Sequence, residues 1–330
     1  MPKPSKTILT LIKVLVSGGL VYWILRNSNL AEIWNSISNA NLVFLVFAFC
    51  MFYAGYFITA LRWKTLLHAQ GVDAPLFYLL KSFMVAVFFN NLLPSTIGGD
   101  LMRMYDSYRM GGSKAGAVSV IFIDRLFGVT ALLSYGLIAI LLSSAIRAQI
   151  PLLWLWAALA VGGAVIFAYV VFGSPAWLFD RVFALNEDRF GMPVRLLKKF
   201  MTSFQAFKGR KDILAKALGL SFLLQLNVIF HFIVLTWALN IDIPPMAMFI
   251  IIPIAAILMM VPISINAIGV REAVFVYFFS LFGVASEPAV AFAWVAFGFV
   301  ILQGVVGGIV FMLRKNAHKS SEHQPVVKQL

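Results

Sequence analysis

The stretch FFNNLLPSTIGGDLMRMYDSYRMGG, Phe88–Gly112, decides how the chain is read. An apolar run ends in two asparagines, a proline and a Ser-Thr pair. Two glycines follow, and then an Asp-Arg helix start. Proline removes a backbone donor and clashes with the preceding turn, so a helix arriving from the N-terminal side ends near Pro94. A new helix starts near Gly99 with charges in its first turns. A broken helix of this kind has meaning only once the surroundings are known.

Those surroundings are oil. The chain has 330 residues, 62% hydrophobic and 12% charged, with a mean hydropathy of +0.93. An ordinary soluble domain carries about 25% charged residues, so the class is a polytopic membrane protein. The net charge of +13 collects between and beyond the apolar runs, where it sets topology and attracts anionic headgroups. Nucleic-acid binding is not expected. A single cysteine, Cys50, excludes a disulfide framework. His68, His231, His318 and His323 show no metal-ligand spacing, so neither metal nor cofactor is expected.

A span needs about 20 apolar residues. Candidate spans are 8–25, 42–61, 76–93, 117–142, 151–173, 213–239, 244–262, 267–282 and 289–313. The first is longer than a signal-peptide core and reads as an uncleaved span. The hydrophilic segment 174–212 carries Arg181, Arg189, Arg195, Lys198, Lys199, Lys208, Arg210 and Lys211, which places it on the cytoplasmic side. Both basic ends then belong inside as well. The parity closes only if 76–93 and 94–110 form one hairpin that enters and leaves by the cytoplasmic face. The same count makes 244–262 and 267–282 a second hairpin, open to the outside. The expected fold is an all-α transmembrane bundle of six full spans with two broken, re-entrant hairpins of opposite orientation. It forms one domain over 1–313, with a polar cytoplasmic tail at 314–330.

The two breaks resemble each other. The first reads Pro94-Ser95-Thr96-Ile97-Gly98-Gly99-Asp100 with Arg103 one turn on, and the second runs from Pro262 through Asn266 and Gly269 to Arg271-Glu272. Paired Pro/Gly interruptions in two halves point to a transporter's binding site. A helix start offers backbone N–H groups and a positive dipole end to anions, and Arg103 and Arg271 lie close enough to grip phosphate. After Gly99, Leu101, Met104, Tyr105 and Tyr108 form one stripe, with Asp100, Arg103 and Ser107 opposite. Asp100 and Arg103, three apart, are able to pair. An interfacial helix with snorkelling arginines explains the same stripe, and for Arg109 that reading suffices.

Asp124 and Arg125 sit inside a span, where charge is costly and faces the bundle interior. A structural ion pair and a direct role are both open, with Arg103 or Arg271 as a partner for Asp124. Gln225, Asn227, His231 and Gln303 read as interhelical hydrogen-bond glue, and Gly304–Gly308 as close helix packing. No GxSxG, HExxH or GxxxxGK[ST] pattern is present, so no enzymatic activity is expected.

The segments NNLLPSTIGGDLMRMYDSYRMG…KAGAVSVIFIDRLFG and VPISINAIGVREAVFVYFFSLFGV resemble the signature regions of the flippase-like family named after the transmembrane region of lysylphosphatidylglycerol synthase. The resemblance spans roughly residues 8–313. It implies a bacterial or archaeal inner-membrane protein that moves a phospholipid, or an isoprenoid- or hopanoid-type lipid, across the bilayer. It also implies an association with an envelope-lipid biosynthetic enzyme. The matching positions are Asn90, Asn91, Pro94, Gly98, Gly99, Asp100, Arg103, Asp124, Arg125, Pro262, Gly269, Arg271 and Glu272. Ser95, Thr96 and Asn266 join them as headgroup-binding candidates, with Pro94 and Pro262 as the breaks. No aminoacyltransferase domain accompanies these segments, so lysyl transfer is not expected. SINAIGVRE is poorer in glycine than the family pattern, which predicts a stiffer second turn or a shifted headgroup preference. The alternatives are a membrane-embedded enzyme and an accessory subunit acting on a lipid-linked substrate.

Overall fold

The computed structural model describes residues 6–26, 28–92, 97–143, 207, 209–260, 264 and 266–322, together with 154, 157–158, 161–163, 181–182, 184, 191, 194–195 and 198. The expected span 151–173 and most of the basic loop 174–212 lie outside the described residues. So do Pro94, Ser95, Thr96 and Pro262.

Every regular element among the described residues is an α-helix. In chain order they are α1 (Lys6–Arg26), α2 (Leu30–Ser38), α3 (Leu42–His68), α4 (Leu76–Leu92) and α5 (Ile97–Arg109). The second group is α6 (Lys114–Leu142), α7 (Lys211–Ala238), α8 (Pro245–Met260), α9 (Val270–Ser280) and α10 (Ser286–Glu322). Asn41 caps α3 by accepting from Val43 N and Phe44 N, and Ser113 caps α6 by accepting from Gly116 N. Among the described residues, four stretches are long and apolar enough to cross a membrane: Leu42–His68, Gly116–Leu142, Lys211–Ala238 and Ser286–Arg314. Their outward sides carry bare apolar groups such as Val43 (75% exposed), Leu142 and Leu313. Water would penalise such a surface, whereas hydrocarbon accepts it. The chain is a multi-pass membrane protein.

The helices fall into two sets of four. Let α3, α4, α5 and α6 exchange with α7, α8, α9 and α10. The packed pair α3–α4 then becomes α7–α8, α4–α5 becomes α8–α9, and α5–α6 becomes α9–α10. Likewise α3–α6 becomes α7–α10, α6–α8 becomes α4–α10, and the extensive α3–α7 interface maps onto itself. Each set closes its own broken pair, and each broken pair leans on the last long helix of the other set. The α6–α7 interface has no counterpart of similar extent between α10 and α3, and helices α1 and α2 stand outside this scheme, packing on α9 and α10 respectively.

Small residues make the cross-set contacts possible. A Cβ on Gly307 of α10 would run into the Met84 carbonyl of α4, and one on Gly304 would run into the Asn91 side chain. Gly136 of α6 receives Pro253 of α8, 3.5 Å from where a Cβ would stand. Close backbone approach of this kind is how helices associate where no hydrophobic force acts between them. Gly307→Ala is therefore expected to destabilise the bundle by about 1–3 kcal/mol. Gly298→Ala, on the same helix with nothing within 4 Å of its Cβ, should be neutral. Thermal unfolding of the two variants in detergent checks the contrast.

Candidate functional site

The first break is held by charge. Helix α5 spans 13 residues, about 20 Å at 1.5 Å per residue, too short to cross the hydrocarbon. Its charges at 100, 103 and 106 each go to a different partner. Asp100 pairs with Arg125 of α6 at 2.5 Å, and Arg103 Nη1 donates to Asp124 Oδ2 of α6 at 3.0 Å. Asp106, fully buried, accepts both Arg314 nitrogens of α10, at 2.8 and 2.7 Å, and also accepts from Ser82 and Tyr78 of α4. The Asp100–Arg103 pairing that the spacing predicts does not form. Local spacing offers it, but each residue instead meets a partner on α6 across the helix interface.

Asp124 is shared. Arg62 Nε of α3 lies 2.5 Å from its Oδ1 in an ionic contact, while Arg62 Nη1 donates to Ser221 Oγ of α7 at 2.8 Å. Arg103 also lies over the Trp63 ring at 4.7 Å and the Phe83 ring at 5.4 Å, a stacking that a guanidinium plane favours. The Trp63 indole donates to Ser107 Oγ at 3.2 Å. Arg62, Arg103 and Asp124 are each at most 4% exposed. Helix α5 is thus inside out: Arg103, Asp106 and Ser107 face the bundle, while Leu101, Tyr105 and Tyr108 are at least half exposed. Membrane solvent reverses the usual rule.

Both helix starts are capped by the protein itself. The Gly99 N–H donates to Asn90 Oδ1 of α4 at 2.7 Å, and the Gly269 N–H donates to Glu272 Oε2 at 2.7 Å. Gly98 and Gly99 are buried, and a Cβ on Gly99 would stand 2.5 Å from the Ala86 carbonyl oxygen, so α4 and α5 touch backbone to backbone. The second turn carries left-handed backbone at Asn266 (φ 49°), Ala267 (φ 59°) and Gly269 (φ 83°). Alanine pays a steric penalty there that glycine escapes. Gly269 is fixed by contact too, since its Cβ would stand 2.7 Å from Leu20 Cβ of α1.

Two cavities adjoin the second break. The larger, about 410 Å³, is lined by residues of α3, α4, α7, α8, α9 and α10. Its walls are mostly aromatic and aliphatic, with Tyr56, Thr59, Asn227, His231 and Arg271 as the polar groups. The second, about 290 Å³ and more open, lies where Phe88, Asn91 and Leu92 of the first break face Asn266 across Phe297, Ile301, Gly304 and Val305 of α10. Arg271 connects them. It lines the larger cavity, stacks 4.5 Å over the Phe297 ring that walls the smaller one, and donates from Nη2 to the Asn266 carbonyl at 3.0 Å. Its buried Nη1 has no hydrogen-bond partner among the described residues.

The candidates from sequence therefore sort by place. Asn91, Asn266 and Arg271 come together at the cavities, with Asn91 Nδ2 donating to the Val300 carbonyl at 2.7 Å. Asp100, Arg103, Asp124 and Arg125 form the α5–α6 seam, and Arg103 meets the larger cavity only through Phe83. Asn90, Gly99, Gly269 and Glu272 build the turns. Sequence reasoning passed over Arg62 and Arg314 as loop and tail charges, and over Tyr56, Thr59 and Phe83 entirely. The position of Arg62 inside a long apolar helix was the one available signal.

A family profile described as "Lysylphosphatidylglycerol synthase TM region" matches residues 10–308. Among curated proteins, the UPF0104 membrane protein of Pyrococcus horikoshii is 21% identical over 241 residues, covering 67% of this chain and 70% of its own length.

Removing the Asp124 carboxylate strands two arginines. Asp124→Ala is expected to cost about 3–5 kcal/mol, the usual penalty for breaking a buried ion pair. Asp100→Ala, whose partner Arg125 is 41% exposed, should cost about 1 kcal/mol or less. Chemical unfolding in mixed micelles measures both.

Proposed function

The chain belongs to the lysylphosphatidylglycerol synthase transmembrane-region family, and from that premise we propose that it translocates a polar-headgroup lipid across the cytoplasmic membrane. The observation that carries the reading is Arg271. A guanidinium with a buried, unpartnered Nη1 sits between the larger cavity and a more open cleft bordered by both breaks. An unmatched donor in such a place is costly unless something arrives to accept from it. A phosphate oxygen is the acceptor whose geometry a guanidinium fork suits best.

In this reading the headgroup enters by the cleft between Asn91 and Asn266, reaches Arg271, and leaves by the other side while its chains stay in the bilayer. The two broken pairs are re-entrant and face opposite leaflets, with both termini cytoplasmic. The exchange-related packing of the two helix sets supports alternating access, because either set can rock against the other around a fixed site. Arg103, held by Asp124 and two rings, keeps α5 in place and does not touch the headgroup. An envelope-lipid enzyme would be the natural partner upstream or downstream.

The test is transbilayer movement of fluorescent phospholipids in liposomes containing the purified protein. Arg271→Ala is expected to slow movement ten- to hundredfold, the range for a lost charge-assisted hydrogen bond. Arg271→Lys, which keeps the charge but not the fork, should recover part of it. Wild-type rates in a monodisperse Arg271→Ala protein would overturn the assignment.

A further inference from the structure

Arg314 closes one end of the seam between α4 and α10. From α10 it donates to Asp106 of α5 at 2.8 and 2.7 Å and also to the Tyr78 hydroxyl of α4, with its guanidinium 4.5 Å over the Tyr78 ring. One cation thus ties the last long helix of one set to both helices of the other set's broken pair. Its setting differs from that of the Asp124 cluster. The side chains of Arg62, Arg103 and Asp124 are no more than 5% exposed, whereas that of Arg314 is 20% exposed and ends the apolar stretch of α10. An arginine at the membrane rim can trade a carboxylate for water or for headgroup oxygens. Asp106 would keep Ser82 and Tyr78 as donors after such a withdrawal. Neither charge is stranded, so this pair opens at lower cost than a sealed one.

The rest of the seam has the form of a rocker. In its middle, Gly307 lies against the Met84 carbonyl and Gly308 against the Phe88 ring, so α10 presents a smooth surface to α4 there. At the far end the two helices border the smaller cavity, α4 with Phe88, Asn91 and Leu92 and α10 with Phe297, Ile301 and Val305. A neutral hydrogen bond from Asn91 to the Val300 carbonyl joins them at that end. The equivalent seam in the exchanged set, α6–α8, has no such clamp. Helix α8 carries no charged residue, and Gly136 simply receives Pro253. An ion pair is therefore not what a seam of this kind needs in order to pack. We infer that the Arg314–Asp106 pair is a releasable clamp: it holds α4 and α10 together at one end, and its release lets α10 rock on Gly307 so that the clamped end parts and the cleft narrows. This rests on the translocation reading only in giving the seam a reason to move.

Spin labels report both ends of the seam in a Cys50→Ser background, Cys50 being the sole cysteine. One pair of labels replaces Phe77 and Leu313 at the clamped end, and the other replaces Leu92 and Leu302 at the cleft, all four positions being more than half exposed. Distances are measured by electron paramagnetic resonance on the purified full chain in nanodiscs. Arg314→Gln is expected to lengthen the first distance and shorten the second, each by about 5 Å, the scale of a one-turn shift between packed elements. Tyr78→Phe removes the hydroxyl that both partners use and leaves both charges in place. It should give the same opposed shifts in a minority of molecules, and it decides the matter if Arg314→Gln does not fold. Any other result overturns the inference, whether unchanged distances or the broadening of both pairs that a merely structural tie would give. Transbilayer movement of phospholipid is measured separately in liposomes. Opposed shifts in a protein whose wild type moves no lipid leave the clamp standing and sink translocation. Lipid movement by wild type with unchanged distances in the variants does the reverse.

Discussion

A single carboxylate, Asp124, joins α6 to α3 and α5 at once through Arg62 and Arg103, and reaches α7 through Ser221. In hydrocarbon an isolated charge on any of these helices would be costly, and grouping them converts three liabilities into one local cluster. The cluster carries two cations and one anion, so the carboxylate alone does not neutralise it. The faces of Trp63 and Phe83 supply the remaining negative potential to Arg103. That need for aromatic cover explains why the wall of the larger cavity at Phe83 is also the shield of the ion cluster. Cavity and cluster are two sides of one layer of side chains.

The same constraint explains how a helix too short to span is held within the bundle. Helix α5 has neither the length nor the hydropathy to be held by lipid. It is pinned instead at successive turns by Arg125, Asp124 and Arg314. The second broken pair reaches a comparable place by other means, with left-handed backbone at Asn266 and Ala267, a glycine seated on α1, and Glu272 closing the helix start. The two sets thus share a packing scheme but not a chemistry. The first gathers its charged groups into ion pairs within the bundle, whereas the second places Arg271 in the wall of the larger cavity.

What the sequence revealed follows from which properties are one-dimensional. Apolar length is such a property, so the ends of α4, α6, α7 and α8 fall within three residues of their expected places. The all-helical class and the family were legible for the same reason. Helix α3 overran its expected end because counting stopped at Arg62, whereas the helix continues to His68 with that arginine turned inward. Arg314 was hidden in the same way, read as a tail charge although it closes on Asp106. Helix α2, nine residues begun by an asparagine cap, is too short to show a period. The pairing of Asp100 with Arg125 required knowing that α5 lies along α6, which no spacing reports.

The site was legible only in outline, and the reason is instructive about membrane interiors. Polar residues in apolar helices look alike in sequence, whether they satisfy a neighbour or wait for a ligand. Asn227 and His231 carried the same label as Gln225, and only the cavity separates them. The distinction lies in atoms left over after the protein's own hydrogen bonds are assigned. By that measure Arg103 keeps Nε and Nη2 unmatched, and Arg271 and His231 one atom each, so what separates them is place: Arg271 and His231 line the larger cavity and Arg103 does not. A bundle that buries polar atoms without partners has lost stability relative to one that pairs them.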